Sequence, residues 1–210
     1  MGLFTKDIKT LNDLFMHGLR DLFYAENQIL KSLPDMIEKA TNAQLKAGFE
    51  KHRDETEKQI ARLRKVFELL DSDPSGDKCP AIDGILKEGK DLMGEIDDED
   101  VMNVGLIAAA QAVEHYEITR YGALIAWATE LGRTDVVPLF EANLAEEKAT
   151  DQKLTTMAER RINPKAEQKA EKPKSGGRPK QTARRKAPKR AARPAAKAKR
   201  NGAKKARRRA

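Results

Sequence analysis

Acidic residues occupy positions where a helical pattern predicts core side chains. Glu26 lies in an apolar stripe, four residues after Leu22 and four before Leu30. Glu114 and Glu117 lie three residues apart in a second apolar stripe. Because residues three and four apart share one face of a helix, we expect these carboxylates to point into the protein. Burying ionised carboxylates together is costly unless a cation balances them, so the pattern indicates a site for divalent cations.

Two further segments add candidate ligands at the same helical spacing. His52 and Glu55 are three residues apart, and Glu146 follows Asn143 by three. An imidazole nitrogen is a ligand that iron, manganese and zinc accept. The predicted ligands of this metal site, which we expect to hold one or two iron or manganese ions per chain, are Glu26, His52, Glu55, Glu114, Glu117 and Glu146.

An internal repeat relates the candidates to one another. A shift of about 91 residues, read directly off the sequence, places Glu26 on Glu117 and Glu55 on Glu146, whereas His52 falls on Asn143. Related helical hairpins that pack face to face would bring these side chains around a common centre. The alternative is that each acid is solvated or paired with a Lys or Arg.

Four long helices are predicted to position these residues. Apolar residues recur at helical spacing over residues 10–40, 42–70, 101–131 and 135–161, and no stretch is typical of a strand. Residues 71–100 interrupt the pattern, with a short helix expected at 81–96. We expect Pro34 to kink or interrupt the first helix and Asn163-Pro164 to end the fourth.

The order of these segments favours an all-α fold. Two helical hairpins joined by one crossover of roughly 30 residues have the connectivity of a ferritin-like four-helix bundle. The alternative is a simple up-down bundle, which has short loops throughout. We assign residues 1–163 to the bundle and residues 164–210 to a separate tail.

The charge of the chain divides sharply between these two parts. Residues 1–160 hold 20 Lys and Arg against 31 Asp and Glu, whereas residues 161–210 hold 21 against 2. Residues 165–210 contain no Leu, Ile, Val, Phe, Tyr or Trp, so they are predicted to be disordered. The pattern KAPKRAARP at 186–194 is similar to the tails of linker-histone-like proteins.

Such a tail is expected to bind nucleic acid by neutralising phosphates, without reading the base sequence. An anionic membrane surface and a purely solubilising role are the alternatives. The predicted DNA-contacting residues are Arg184, Arg185, Lys186, Lys189, Arg190, Arg193, Lys197, Lys199, Arg200, Lys204, Lys205, Arg207, Arg208 and Arg209.

The remaining composition argues against secreted and membrane classes. The single Cys79 allows no intrachain disulfide framework, which is consistent with a reducing cytosol. The N-terminus lacks the long apolar segment of a signal peptide, and no run approaches the roughly 18 apolar residues of a membrane span. We therefore expect a cytoplasmic protein with no membrane partner.

Four segments of the sequence resemble the YciF-type ferritin-like stress-protein family. They are DLFYAE at 21–26, HRDET at 52–56, EHYEI at 114–118 and EEKATD at 146–151, and the resemblance covers residues 4–162. It implies a ferritin-like bundle, a homodimer and a bacterial cytosolic protein linked to stress responses.

The wider di-iron class carries Glu-x-x-His on two helices, and the chain departs from that pattern. It has the reversed order His52-x-x-Glu55, and then Asn143-x-x-Glu146 with no histidine. The difference predicts a site richer in carboxylates.

These observations together predict a stress-related, metal-binding protein with a sequence-nonspecific DNA-binding tail. Its expected role is to protect DNA in the nucleoid by handling iron, manganese or peroxide nearby, and whether it is an enzyme stays open. The alternative is a non-catalytic, dimeric, nucleoid-associated structural protein whose bundle serves to multimerise. Metal content separates the two.

Overall fold

A computed structural model describes residues 7–170, and within this part of the chain every regular element is helical. The predicted all-α class is therefore confirmed for the bundle. The elements are α1 (Leu11–Lys39), α2 (Ala43–Leu69), α3 (Pro80–Glu95), α4 (Glu99–Glu130), α5 (Val137–Met157), a five-residue π-helical turn (Ala158–Ile162) and α6 (Asn163–Ala170). Residues 171–210, which include all the predicted DNA contacts, lie outside the described residues.

Side-chain caps begin three of the long helices. Thr10 and Asp13 form a capping box, in which each side chain accepts a hydrogen bond from the other residue's backbone N–H, at 3.1 and 3.0 Å. Asn42 caps α2 and Asp98 caps α4, each through a side-chain oxygen that accepts two backbone N–H groups. These caps satisfy donors that a helix start leaves without partners. α1 then runs unbroken through Pro34.

The buried amide of Asn103 fixes the tight connection between α1 and α2. Its Oδ1 accepts hydrogen bonds from the backbone N–H groups of Thr41 and Asn42, both at 3.1 Å. Its Nδ2 donates to Thr41 Oγ1 at 2.7 Å and to the Glu99 carbonyl at 2.8 Å. The start of α4 therefore holds the turn of the first hairpin.

The helical backbone continues past the predicted stop at Asn163-Pro164. The turn before it widens, so that the Asn163 N–H donates to the carbonyl of Ala158, five residues earlier. Pro164, the second residue of α6, follows directly after this widened turn, and the helical path continues through it. Lys165 then pairs with Asp100 at 2.7 Å, which ties α6 to the start of α4.

Two apolar clusters fill the bundle and reveal the direction of each helix. One cluster joins the first half of α1 to the second halves of α2 and α4 and the start of α5, as in the edge-to-face contact of Phe15 with Phe140. The other joins the second half of α1 to the first halves of α2 and α4 and the end of α5. Helices α2 and α4 therefore run in the same direction, and the chain must cross the length of the bundle between them. This is the predicted ferritin-like connectivity.

The crossover, which contains α3, packs against α1 and α4. Tyr24 donates a hydrogen bond to Asp83 Oδ1 at 2.8 Å, and Cys79 Sγ lies 3.2 Å from the Tyr116 hydroxyl. Gly76 passes so close to α1 that a Cβ there would lie 2.9 Å from the Cβ of Tyr24. The crossover thus depends on a residue without a side chain at its point of closest approach.

Within residues 7–170, none of the helices has the length and hydropathy to cross a membrane.

Candidate metal centre

A layer of buried polar residues separates the two apolar clusters halfway along the bundle. Each of the four long bundle helices changes from one cluster to the other at this level. The buried polar side chains of the layer are Glu26 from α1, His52, Thr56 and Gln59 from α2, Glu114 and Glu117 from α4, and Asn143, Glu147 and Thr150 from α5.

Seven-residue spacing explains why these particular residues face inward. On α5, Glu147 lies seven residues from both Phe140 and Leu154, which are core residues. On α2, Thr56 lies seven residues from both Phe49 and Leu63. Seven residues make about two helical turns, so all three residues of each series share one face.

Four side chains of the layer converge closely enough to share a metal ion. One ligand atom from each of His52, Glu114, Glu117 and Glu147 lies within 4.8 Å of the others. We call these four residues the four-donor cluster. Its members are at most 4% exposed, and His52 Nε2 lies 3.3 Å from Glu114 Oε1. One imidazole and three carboxylates are a donor set that iron, manganese and zinc accept.

Many polar atoms in the layer have no hydrogen-bond partner among the described residues. They are Glu26 Oε2, both ring nitrogens of His52, Gln59 Oε1, Glu114 Oε2, both carboxylate oxygens of Glu117, and Glu147 Oε2. No Lys or Arg side chain is buried in the part of the chain that the structure describes. Leaving such atoms unpaired is expensive, and a bound cation would satisfy them, so the residues fit a divalent metal.

Burial raises the pKa of each carboxyl group in the layer. It raises the pKa values of Glu26, Glu114 and Glu117 well above the usual range, and the nearby carboxylates add to the effect. It raises the pKa of Glu147 to about 7. Metal-free protein therefore holds protons in this layer, and a metal ion must displace them when it binds.

Burial acts on the imidazole in the opposite sense. It lowers the pKa of His52 to about 4, because the charged form of the ring is disfavoured away from water. The ring is therefore neutral at physiological pH and can offer a nitrogen lone pair to a metal.

Glu26 is oriented by a chain of hydrogen bonds that leads towards the surface. Tyr121 donates its hydroxyl to Glu26 Oε1 and accepts a hydrogen bond from Asn143 Nδ2 at 2.7 Å. Arg62 in turn donates to Asn143 Oδ1 at 2.8 Å. One oxygen of Glu26 is thereby committed to Tyr121, and Oε2 stays available beside the four-donor cluster.

Of the six predicted ligands, the structure brings Glu26, His52, Glu114 and Glu117 into the layer and directs the other two elsewhere. Glu55 pairs with Lys51, one turn earlier on α2, and its side chain is 15% exposed. Glu146 forms a two-pronged ion pair with Arg62, at 2.7 and 2.9 Å. Neither belongs to the four-donor cluster.

Glu147 and Gln59 are members of the layer that the sequence interpretation did not select. Gln59 donates from the same Nε2 to Glu147 Oε1 and to Glu146 Oε2, the latter at 3.1 Å. It therefore links the four-donor cluster to the ion pair of Glu146 with Arg62. The seven-residue spacing of Glu147 from Phe140 and Leu154 was the available signal for this position.

Known proteins resemble the chain over nearly the whole of the described region. Protein YciF of Escherichia coli K12 is 39% identical over 165 residues, which are 78% of this chain and 99% of that protein. The crystal structure of the E. coli stress protein YciF superposes with a TM-score of 0.71 at 38% identity, and covers 74% of this chain and 99% of its own. The structure of YcfI from Rhodopseudomonas palustris superposes with a TM-score of 0.72 at 56% identity. The match covers 73% of this chain and 98% of YcfI.

A family described as a domain of unknown function, DUF892, matches residues 10–167. The match spans all four bundle helices and every residue of the four-donor cluster. The chain is therefore a YciF-like protein that belongs to the DUF892 family.

Proposed function

We propose that this protein is a stress-related metal-binding protein that holds iron or manganese at the four-donor cluster. The observation that carries the proposal is the set of buried, mutually facing donor atoms without hydrogen-bond partners. Their charges cannot be balanced by a buried Lys or Arg, since none occurs among residues 7–170. A divalent ion supplies the missing charge and the missing contacts together.

Glu26 extends the donor set towards a second ion. Its free Oε2 and the two oxygens of Glu117 are donors without hydrogen-bond partners. When ionised, Glu26, Glu114, Glu117 and Glu147 carry four negative charges, which match two divalent ions. We therefore propose a capacity of one or two ions per chain.

A bound iron or manganese ion would supply redox chemistry with peroxide at this position. The surrounding residues of the chain do the rest: the apolar clusters on both sides limit the entry of water, and Tyr121 orients Glu26. His52 presents a neutral ring rather than a competing positive charge. The redox role goes beyond metal binding and is tested by a separate experiment.

Metal content of the full chain tests metal binding directly. Protein purified without added metal, and then equilibrated with Fe²⁺ or Mn²⁺, is expected to retain one or two ions by elemental analysis. A Glu147→Gln variant should lose most of this metal. Glu141→Gln is the matched control, because Glu141 lies on the same helix but is exposed. Wild-type protein that retains no metal would overturn the proposal and favour a purely structural bundle.

Peroxide consumption tests the redox role separately. Metal-loaded wild-type protein is expected to consume peroxide faster than metal-treated Glu147→Gln protein, and Glu141→Gln protein should match the wild type. Equal rates for all three, with metal present in the wild type, would leave a structural metal site without redox activity.

We further propose that residues 171–210 bind DNA without sequence preference and that the protein acts as a homodimer near the nucleoid. Support for DNA binding comes from the excess of Lys and Arg and the lack of large apolar residues in this segment. The homodimer is what the YciF-type resemblance implies. The salt dependence of DNA binding and the mass of the protein in solution test the two statements.

A further inference from the structure

We propose that a groove between α2 and α5 binds an aliphatic carboxylate next to the metal centre. The groove has a volume of about 400 Å³. This lies within the range of roughly 300–1,000 Å³ that is typical of small-molecule sites. The half-buried Met157 lines it together with Phe49 and Leu154, which are almost fully buried beneath, so the floor that a hydrocarbon chain would cover is apolar.

Glycine leaves the groove open. Gly48 lies on α2 within the lining, and a Cβ there would meet only the terminal methyl group of Met157, at 3.9 Å. A larger side chain at this position would project into open space rather than into packed core. Since glycine inside a helix lowers its stability by about 1 kcal/mol relative to alanine, the open space is obtained at a cost to α2.

The charge of the groove selects an anion. Lys51 and Lys153 line it, and Glu55 is the acidic residue among the described lining residues. Lys51 is paired with Glu55, whereas Lys153 forms no ion pair with another described residue. Arg161 adds a further positive charge near one end, where it donates to the lining residue Gln44 at 2.6 Å. A cationic rim over an apolar floor, on a bundle that is otherwise acidic, complements a carboxylate with an aliphatic chain.

One end of the groove lies beside the polar layer. Thr150, which lines the groove, is one helical turn after Glu147, and Glu55 is one turn after His52. A ligand in the groove would therefore lie against the same two helices that present two of the four donors. Its relevance to metal chemistry rests on the proposed function, whereas binding itself does not depend on a metal.

Decanoate is a suitable probe, and titration calorimetry of the full-length, metal-free protein is the measurement. We expect saturable binding at concentrations below those at which decanoate forms micelles. A Gly48→Leu variant, which fills the groove, should weaken binding by at least about tenfold. Gly122→Leu is the matched control, because Gly122 lies within α4 and a Cβ there has no neighbour within 4 Å. It should bind decanoate as the wild type does.

The charge requirement has a separate readout. Lys153→Met should weaken decanoate binding while leaving the binding of decanol, the uncharged alcohol of the same chain length, unchanged. Non-specific attraction of decanoate to the basic C-terminal residues would be the same in all these variants. Binding that Gly48→Leu does not alter would therefore overturn the proposal.

Two other results would also overturn it. Absence of saturable decanoate binding would do so directly. A change in sedimentation mass on Gly48→Leu, without decanoate binding by the wild type, would show that the groove is instead an interface between copies of the chain. Metal analysis of the same samples distinguishes failure of the metal proposal from failure of the groove proposal. Decanoate binding is measured on metal-free protein, so its result does not depend on whether the protein binds metal.

Discussion

The buried carboxyl groups are expected to control how metal-free protein responds to pH. A carboxyl group whose pKa is raised in the folded state binds protons more tightly there than in the unfolded chain. Stability is then lost as pH rises from the unfolded value of 4.5 through the folded value, which is about 7 for Glu147. His52 has the opposite effect. Its pKa is lowered from 6.5 in the unfolded chain to about 4 in the folded protein, so stability increases as pH rises from about 4 to 6.5. Above about pH 6.5, His52 no longer changes the stability with pH, and the loss caused by the carboxyl groups is the remaining effect.

Metal-free protein should therefore lose stability between about pH 6.5 and pH 8. Each carboxyl group that stays protonated in the folded state contributes about 1.4 kcal/mol per pH unit, so over this interval each such group lowers the free energy of unfolding by about 2 kcal/mol. Urea unfolding at both pH values measures it. Glu117→Gln should flatten the dependence, while the exposed Glu141→Gln should not. A free energy that rises over this interval in the wild type would contradict the prediction.

Adjacent glutamates show how far single residues could be predicted from the sequence. Glu26, His52, Glu114 and Glu117 were selected from three- and four-residue spacing, and the structure places all four in the buried layer. A step of one residue turns a side chain by about 100° around a helix, which is why Glu146 and Glu147 have such different surroundings.

The internal repeat was consistent with either choice on α5. It relates Glu55 to Glu146, but it also relates Thr56 to Glu147. The contact that separates the two possibilities is the pairing of Glu146 with Arg62, which lies on another helix. That contact depends on how α2 and α5 pack, and neither helix contains this information by itself.

At the scale of the elements, Asn103 is expected to be the most sensitive polar residue outside the buried polar layer. Replacement by leucine would leave the N–H groups of Thr41 and Asn42 without their acceptor. Thr41 is exposed and Asn42 is half-buried, so water can partly replace the lost acceptor, and we expect a loss of about 1–3 kcal/mol in the free energy of unfolding. Thermal and urea unfolding of Asn103→Leu measure the loss.

Asn27→Ala is the control for that substitution. The side chain of Asn27 makes one local hydrogen bond, to the carbonyl of Phe23 within the same helix. Its removal should cost less than about 1 kcal/mol. Equal losses for the two variants would show that the connection between α1 and α2 does not depend on Asn103.

The helices themselves could be predicted closely from the periodic apolar residues. The predicted starts lie within about three residues of the observed ones, where Thr10, Asn42 and Asp98 cap three of the helices. The predicted end at Asn163-Pro164 was wrong, because the backbone stays helical through Pro164 and on to Ala170. The widened turn at Ala158–Ile162, which has no clear local signature, allows the helix to continue there.

At the scale of the whole molecule, the division of charge predicts how DNA binding depends on salt. Each phosphate neutralised contributes a slope of about −0.9 in log K against log salt concentration, so roughly ten contacts would give a slope near −9. The full chain should show a steep slope and little sequence preference in a binding titration. A chain ending at Ala170 should lose binding, because residues 1–170 hold 23 Lys and Arg against 32 Asp and Glu and would be repelled by DNA. Binding that is retained by the shortened chain, or that is insensitive to salt, would contradict this role for the C-terminal residues.

The polar layer between the two apolar clusters also has a consequence for local opening of the bundle. Helices in most bundles fray from their ends, where hydrogen-exchange protection is lowest. Here each long bundle helix is supported by apolar packing towards both ends and crosses, between them, buried polar groups that lack hydrogen-bond partners in the described part of the chain. In metal-free protein, backbone amides near Glu117 and Glu147 should therefore exchange with solvent deuterium faster than those at Leu106 or Phe140. Metal binding should slow exchange most at mid-helix. The ion would then stabilise the middle of the four helices, which the two apolar clusters stabilise only towards the ends.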